Sequence, residues 1–115
     1  MRILVVDDEH PCLDELVYLL SKQENVEIVG AFTGSLEALK ASEDLKPDAA
    51  FLDLSMPHMG GAELAGKMVA LTPSTKIVFV TAYARELRRL RDNPSVGSIL
   101  KPLSEARLRE MLRLL

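Results

Sequence analysis

One cysteine, Cys12, is all that the 115 residues hold, so an internal disulfide is excluded and a reducing compartment fits. Long apolar runs are missing too. Met1-Arg2 leads into Ile3-Leu4-Val5-Val6, and Asp7 cuts that run off well short of a signal-peptide core or a membrane span. A cytoplasmic location with no membrane partner is the expectation. Basic charge is not in excess: the net charge is −3, which gives no reason to expect direct nucleic-acid binding. Repeats, linkers and low-complexity segments are lacking, so a single domain over residues 1–115 is expected, long enough to bury one core. A glycine-rich phosphate cradle is also absent. The loop after the first apolar run is Asp7-Asp8-Glu9-His10-Pro11, whose acids would repel the phosphates of a flavin or nucleotide.

What is present is a globular composition, 48% hydrophobic and 27% charged. The central stretch is Ala49-Ala50-Phe51-Leu52-Asp53-Leu54-Ser55-Met56-Pro57. A short apolar run ended by a breaker reads as a strand buried on both faces. Ile3 to Val6, Val26 to Phe32, Lys76 to Val80 and Val96 to Leu100 read as four further strands. Between and after them, helical spacing predicts five helices. The first covers about residues 11–23 on Leu13, Leu16, Val17, Leu19 and Leu20, with Pro11 in its first turn. The second follows a Thr33-Gly34-Ser35 cap, carries Leu36, Leu39 and Leu45, and closes at Lys46-Pro47. Gly60-Gly61 opens the third, through Leu64, Met68 and Leu71 to Thr72-Pro73. Residues 84–92 form the fourth, on Leu87 and Leu90 with Arg85, Arg88, Arg89 and Arg91 facing solvent, and Asn93-Pro94 ends it. Ser104-Glu105 starts the last, with Leu108, Met111, Leu112 and Leu115 on one face. Alternation of this kind predicts an α/β fold: one doubly wound, five-stranded parallel sheet with helices on both faces, a flavodoxin-like (βα)5 arrangement.

In such a sheet the carboxyl ends of the strands share one edge, where ligands bind. Asp7 and Asp8, Asp53, Thr81 and Lys101 all stand at those ends. Two unit charges about 4 Å apart repel by about 1 kcal/mol in water and roughly 4 kcal/mol at an effective dielectric of 20. Three carboxylates with one lysine therefore call for a hard divalent cation with oxygen ligands, and an open, hydrated site suits Mg²⁺. A hydroxyl and an ammonium beside Asp53 are suited to a tetrahedral oxyanion, leaving a carboxylate as in-line nucleophile. The chemistry implied is formation and hydrolysis of an aspartyl phosphate.

Val5-Val6-Asp7-Asp8-Glu9, the run from Asp53-Leu54 through Met56-Pro57 and Met59-Gly60-Gly61 to Glu63-Leu64, Val80-Thr81-Ala82, and Leu100-Lys101-Pro102 together resemble the receiver domain of two-component response regulators, in order and over the whole chain. The resemblance implies a phosphorylation-dependent signalling switch rather than an enzyme with a turned-over substrate. Asp53 would be the phosphoacceptor and a sensor histidine kinase the donor. Asp8 would ligate Mg²⁺ directly and Asp7 largely through water, with Asp53 and the Ser55 backbone carbonyl completing the set. Thr81 would move toward the phosphoryl group, Lys101 would pair with it, and Pro102 would follow a cis peptide. The opening Thr81-Ala82-Tyr83 is similar to receivers attached to transcription activators, which implies a C-terminal DNA-binding output domain beyond this chain and a role in transcription regulation.

Two positions tune or depart from the pattern. Ser98 stands where the family carries an aromatic, three residues before the lysine, so the relay from threonine to ring is altered. Tyr83 would lie over the pocket and slow attack by water. The arginines of residues 85–91 with Arg107, Arg109 and Arg113 read either as solvated faces or as a self-association surface on the last two helices. Cys12 reads as a small, partly buried thiol, and His10 and His58 as loop residues, because Mg²⁺ prefers oxygen. The competing functions are an aspartyl-phosphate phosphohydrolase and an unphosphorylated binding module. Against the first, Ser55 occupies the place where such enzymes commonly put a second acid.

Overall fold

The computed structural model of the protein describes residues 1–90 and 95–115. Five strands, β1 (Arg2–Val6), β2 (Glu27–Phe32), β3 (Ala49–Asp53), β4 (Lys76–Thr81) and β5 (Gly97–Leu100), form one sheet in the order β2-β1-β3-β4-β5. Every pairing is parallel. The strand order reverses beside β1, at the boundary with β3, the place where open sheets leave a crevice at their carboxyl edge.

Side chains alternate across the pleat, and the two halves of each strand's apolar set build two cores. Ile3, Val5, Phe51, Val78, Val80 and Ile99 face α1 (His10–Ser21) and α5 (Glu105–Arg113), through Leu13, Leu16, Leu20, Leu108 and Met111. Leu4, Val6, Ala50, Leu52, Ile77 and Phe79 face α2 (Ser35–Leu45) and α3 (Gly61–Leu71), through Ala38, Leu64, Ala65 and Met68. All five residues of β3 are buried. Sealing a side chain such as Phe51 or Leu52 from water stabilises by about 2 kcal/mol, so the strand that ends on Asp53 is a firmly held platform.

Several local expectations are corrected. Neither hydroxyl of the Thr33-Gly34-Ser35 cap caps α2: Gly34 is the N-cap residue, and the Ser35 hydroxyl donates instead to the Met59 carbonyl at 2.7 Å. Leu36 and Leu71, apolar residues of the second and third helices, are 53% and 46% exposed. The buried stripe of α2 runs through Ser35, Ala38 and Ser42, which points Leu36 outward. That of α3 runs through Gly61, Leu64, Ala65 and Met68 and leaves Leu71, the last residue, uncovered. His10 begins α1 rather than lying in a loop. The fourth helix is short: α4 (Ala84–Leu87) gives way to a 3₁₀ turn, Arg88–Leu90, and none of these residues is buried. The remainder of the helix expected over 84–92, with Arg91 and the Asn93-Pro94 stop, lies outside the described residues. At α5 the Ser104 hydroxyl does cap the helix, accepting the Arg107 N–H at 3.2 Å, a contact worth about 1 kcal/mol. No described helix is long and apolar enough to cross a membrane.

Candidate functional site

Main-chain hydrogen bonds carry the sheet ladder one step past the strands and pin the polar residues at its edge. The Asp7 N–H donates to Phe32 at 3.1 Å, Leu54 to Val80 at 3.2 Å and Lys101 to Thr81 at 2.7 Å. Val6 pairs with Leu52, so Asp7 and Asp53 follow side by side. Strand alternation continues Ile3-Val5 into Asp7, Phe51 into Asp53 and Ile99 into Lys101, all on the α1/α5 side of the sheet. Adjacent parallel strands lie about 4.8 Å apart, which forces the two carboxylates together. Thr81 follows Phe79, a residue of the opposite core, and so starts from the other face.

One carboxylate oxygen from each of Asp7, Asp8 and Asp53 lies within 4.8 Å of the other two. Asp7 is 1% exposed and Asp53 6%. The Lys101 ammonium donates to Asp7 Oδ2 at 3.0 Å and stands 3.9 Å from Asp53 Oδ1. The other Asp7 oxygen, Oδ1, accepts the Glu9 N–H at 3.0 Å. Both Asp7 oxygens thus have partners, whereas Asp8 Oδ1 is buried and has none among the described residues. A buried oxygen without a donor is costly, and a cation bound among the three acids would satisfy it. The donor set is all oxygen and anionic, which fits a hard divalent ion.

Burial, then the neighbouring Asp7, push the Asp53 carboxyl up to about 7; Asp8 adds to this, and Lys101 and the Ser55 N–H only partly offset it. For Lys101, burial alone would lower the ammonium, but the Asp7 hydrogen bond and the charges of Asp53 and Asp7 outweigh it and raise it. The site is therefore under-supplied with positive charge even with its lysine in place.

Thr81 is fully buried at the end of β4. Its hydroxyl donates to Glu86 Oε1 at 2.7 Å and its oxygen accepts the Tyr83 N–H at 3.1 Å. The Tyr83 ring is 53% exposed, with the Arg85 guanidinium 5.7 Å from its centre. Ser55, just beyond β3, is exposed and its hydroxyl donates to Glu86. The Lys101–Pro102 bond is cis. Ser98 faces outward on β5 and lines a cleft of about 190 Å³ with Ile99, Arg107, Met111 and Leu114. Arg85, Arg88, Arg89, Arg107, Arg109 and Arg113 are exposed, and Arg109 lies 3.6 Å from Glu105.

Two residues shape the site in ways the sequence did not indicate. Gly61, read there as opening the third helix, also lies against the end of β3: a Cβ on it would stand 2.2 Å from the Asp53 carbonyl oxygen. Glu86 joins Thr81 and Ser55. Its only signal is an acid in the first turn of the helix after β4, a common position for a capping charge.

A family model described as the response regulator receiver domain matches residues 3–113. The chain is 38% identical to an uncharacterised response regulatory protein of Yersinia pestis, over 97% of this chain and 47% of that protein. It is 35% identical to the transcriptional regulatory protein BtsR of Escherichia coli, over 97% of this chain and 46% of that protein. The chain thus spans about half the length of the curated relatives it matches. Among solved structures, the response regulatory domain of protein mrkE from Klebsiella pneumoniae superposes with a TM-score of 0.88 at 34% identity, covering 98% of this chain and 93% of that one.

Proposed function

Because the chain belongs to the response regulator receiver domain family, we propose that Asp53 accepts a phosphoryl group from a phosphohistidine of a sensor kinase. In that step the nitrogen–phosphorus bond breaks and a bond forms to a carboxylate oxygen of Asp53. The observation that carries the reading is the grouping of Asp53 with Asp7 and Asp8 within 4.8 Å, beside Lys101 at 3.9 Å, at the carboxyl edge of the sheet.

The roles of the neighbours follow from their partners. Asp8, with its orphaned buried oxygen, would ligate a divalent cation, Mg²⁺, directly, and Asp53 and the Ser55 carbonyl would help to hold it. Asp7, whose oxygens accept hydrogen bonds from the Glu9 N–H and Lys101, would act on the ion largely through water, as the family resemblance implies. When bound, the cation supplies positive charge to the phosphoryl oxygens. Lys101 supplies a second, fixed charge and restrains Asp7. Thr81 offers one hydroxyl proton to a phosphoryl oxygen once it leaves its present acceptor. Tyr83 shields the pocket edge from water.

The consequence of phosphorylation is a changed surface on the α4 side, presented to an output domain or partner. The greater length of the relatives supports a further output domain, and the transcriptional regulatory protein among them supports one that binds DNA in transcription regulation. Self-association through the arginine-bearing last two helices is the accompanying interaction. Ser55, bonded to Glu86 and not itself an acid, leaves a phosphohydrolase without its usual proton donor.

A small acyl phosphate with Mg²⁺ should add one phosphoryl group to the protein by intact mass, and none to Asp53→Asn. Uptake by the variant removes Asp53 from its role. Steady release of phosphate from a monoester would instead favour the hydrolase, and no uptake at all would favour a binding module.

A further inference from the structure

Glu86 is half-buried on α4, and its carboxylate bridges the end of β4, at Thr81, and the segment just beyond Asp53 on β3, at Ser55. Oε1 accepts the Thr81 hydroxyl at 2.7 Å, and Oε2 accepts the Ser55 hydroxyl at 2.9 Å. A threonine hydroxyl has one proton to donate. Here that proton goes to Glu86, and the oxygen already takes the Tyr83 N–H. A phosphoryl oxygen on Asp53 accepts hydrogen bonds and donates none. Thr81 can therefore serve a phosphoryl group only by withdrawing its proton from Glu86.

We propose that Glu86 is a positioning residue that competes with the phosphoryl group for the Thr81 hydroxyl, holding α4 in its resting place until phosphorylation wins. The proposal rests on Asp53 being the phosphoacceptor. Two independent features support it. The element that carries Glu86 is a single α-turn followed by a 3₁₀ turn with no buried residue, so it moves at little cost. Beside it opens a cleft of about 170 Å³ lined by Leu54, Gly60, Glu86, Arg89 and Leu90. A released carboxylate has space there and a guanidinium three residues on, at a spacing that favours such a pair. The device also gives this chain a route from the phosphoryl group to α4 that needs no aromatic ring, at a site where Ser98 stands in the ring's place.

The test is phosphorylation of the whole chain by an acyl phosphate with Mg²⁺, following uptake rate and phosphoryl lifetime. Wild type is compared with Glu86→Ala, Glu86→Gln, Thr81→Val and the Thr81→Val/Glu86→Ala double variant. Removing a charged acceptor at a half-buried site should raise the uptake rate roughly three- to tenfold in Glu86→Ala, with Glu86→Gln between it and wild type. In the Thr81→Val background the gain should vanish, because the coupling runs through that one hydroxyl. A purely structural effect of Glu86 would persist there. Equal uptake by Glu86→Ala and wild type, or a gain that survives Thr81→Val, overturns the proposal and leaves the role of Asp53 standing. If wild type takes up no more than Asp53→Asn, the phosphoacceptor reading falls, and the competition falls with it.

Discussion

The Lys101 ammonium donates to Asp7 Oδ2 at 3.0 Å, joining residues 94 positions apart and closing β5 onto β1 across two intervening strands. Asp53, between them in the sheet, receives the same charge only at 3.9 Å. That imbalance leaves Asp53 less compensated than Asp7, and the consequences are measurable.

Asp53→Asn should stabilise the metal-free protein near pH 8 by about 1–3 kcal/mol. The folded-state carboxyl is raised to about 7, whereas in the unfolded chain it is near 4. The folded state therefore holds the proton more tightly, and wild-type stability falls as pH rises from about 4 through about 7. The asparagine does not titrate, so its advantage should shrink toward zero at pH 4. Urea unfolding at pH 4, 6 and 8 checks this; a pH-independent difference contradicts it.

Lys101→Met should act in the opposite direction. It leaves the buried Asp7 carboxylate without its cation, a loss of about 2–4 kcal/mol near neutral pH. Added Mg²⁺ should restore much of it, because a divalent ion repays the same repulsion. Thermal melts with and without Mg²⁺ read both effects. A variant as stable as wild type, or one indifferent to Mg²⁺, would count against the charge argument.

Two glycines of α3 should respond oppositely to alanine. Gly61→Ala places a methyl 2.2 Å from the Asp53 carbonyl, and should cost about 1–3 kcal/mol and slow phosphorylation by shifting the strand end. Gly66→Ala meets nothing within 4 Å on an exposed helical position, and should stabilise by about 0.5–1 kcal/mol with phosphorylation unchanged. Equal effects at the two sites would refute the close-approach account.

Arg88→Glu with Arg89→Glu should weaken phosphorylation-dependent self-association, since both are exposed on the 3₁₀ turn after α4. Sedimentation of the phosphorylated protein decides the matter: unchanged association would move the interface elsewhere.

The alternation of buried apolar runs with helical periods was enough to read the parallel sheet, because a strand buried on both faces admits few polar residues. The same logic exposed Asp7, Asp53, Thr81 and Lys101, since polar residues that follow such runs stand at the sheet edge. Weaker signals misled. Leu36 belongs to the apolar pattern of the second helix, but Ser35, Ala38 and Ser42 take the buried stripe of α2. Thr33 and Ser35 looked like caps by residue type, but a tertiary acceptor, the Met59 carbonyl, claims the Ser35 hydroxyl.

Local pattern alone determined which residues reach the carboxyl edge, because strand length and side-chain alternation are properties of consecutive residues. Which of them touch was decided by strand order. Placing β1 beside β3 brings Asp7 against Asp53 and leaves Lys101 to span from β5. Only the folded chain could hand the Thr81 proton to Glu86 and press Gly61 on the Asp53 carbonyl. Those contacts depend on where separate elements dock, and docking is set by the summed burial of both cores rather than by any short stretch of sequence.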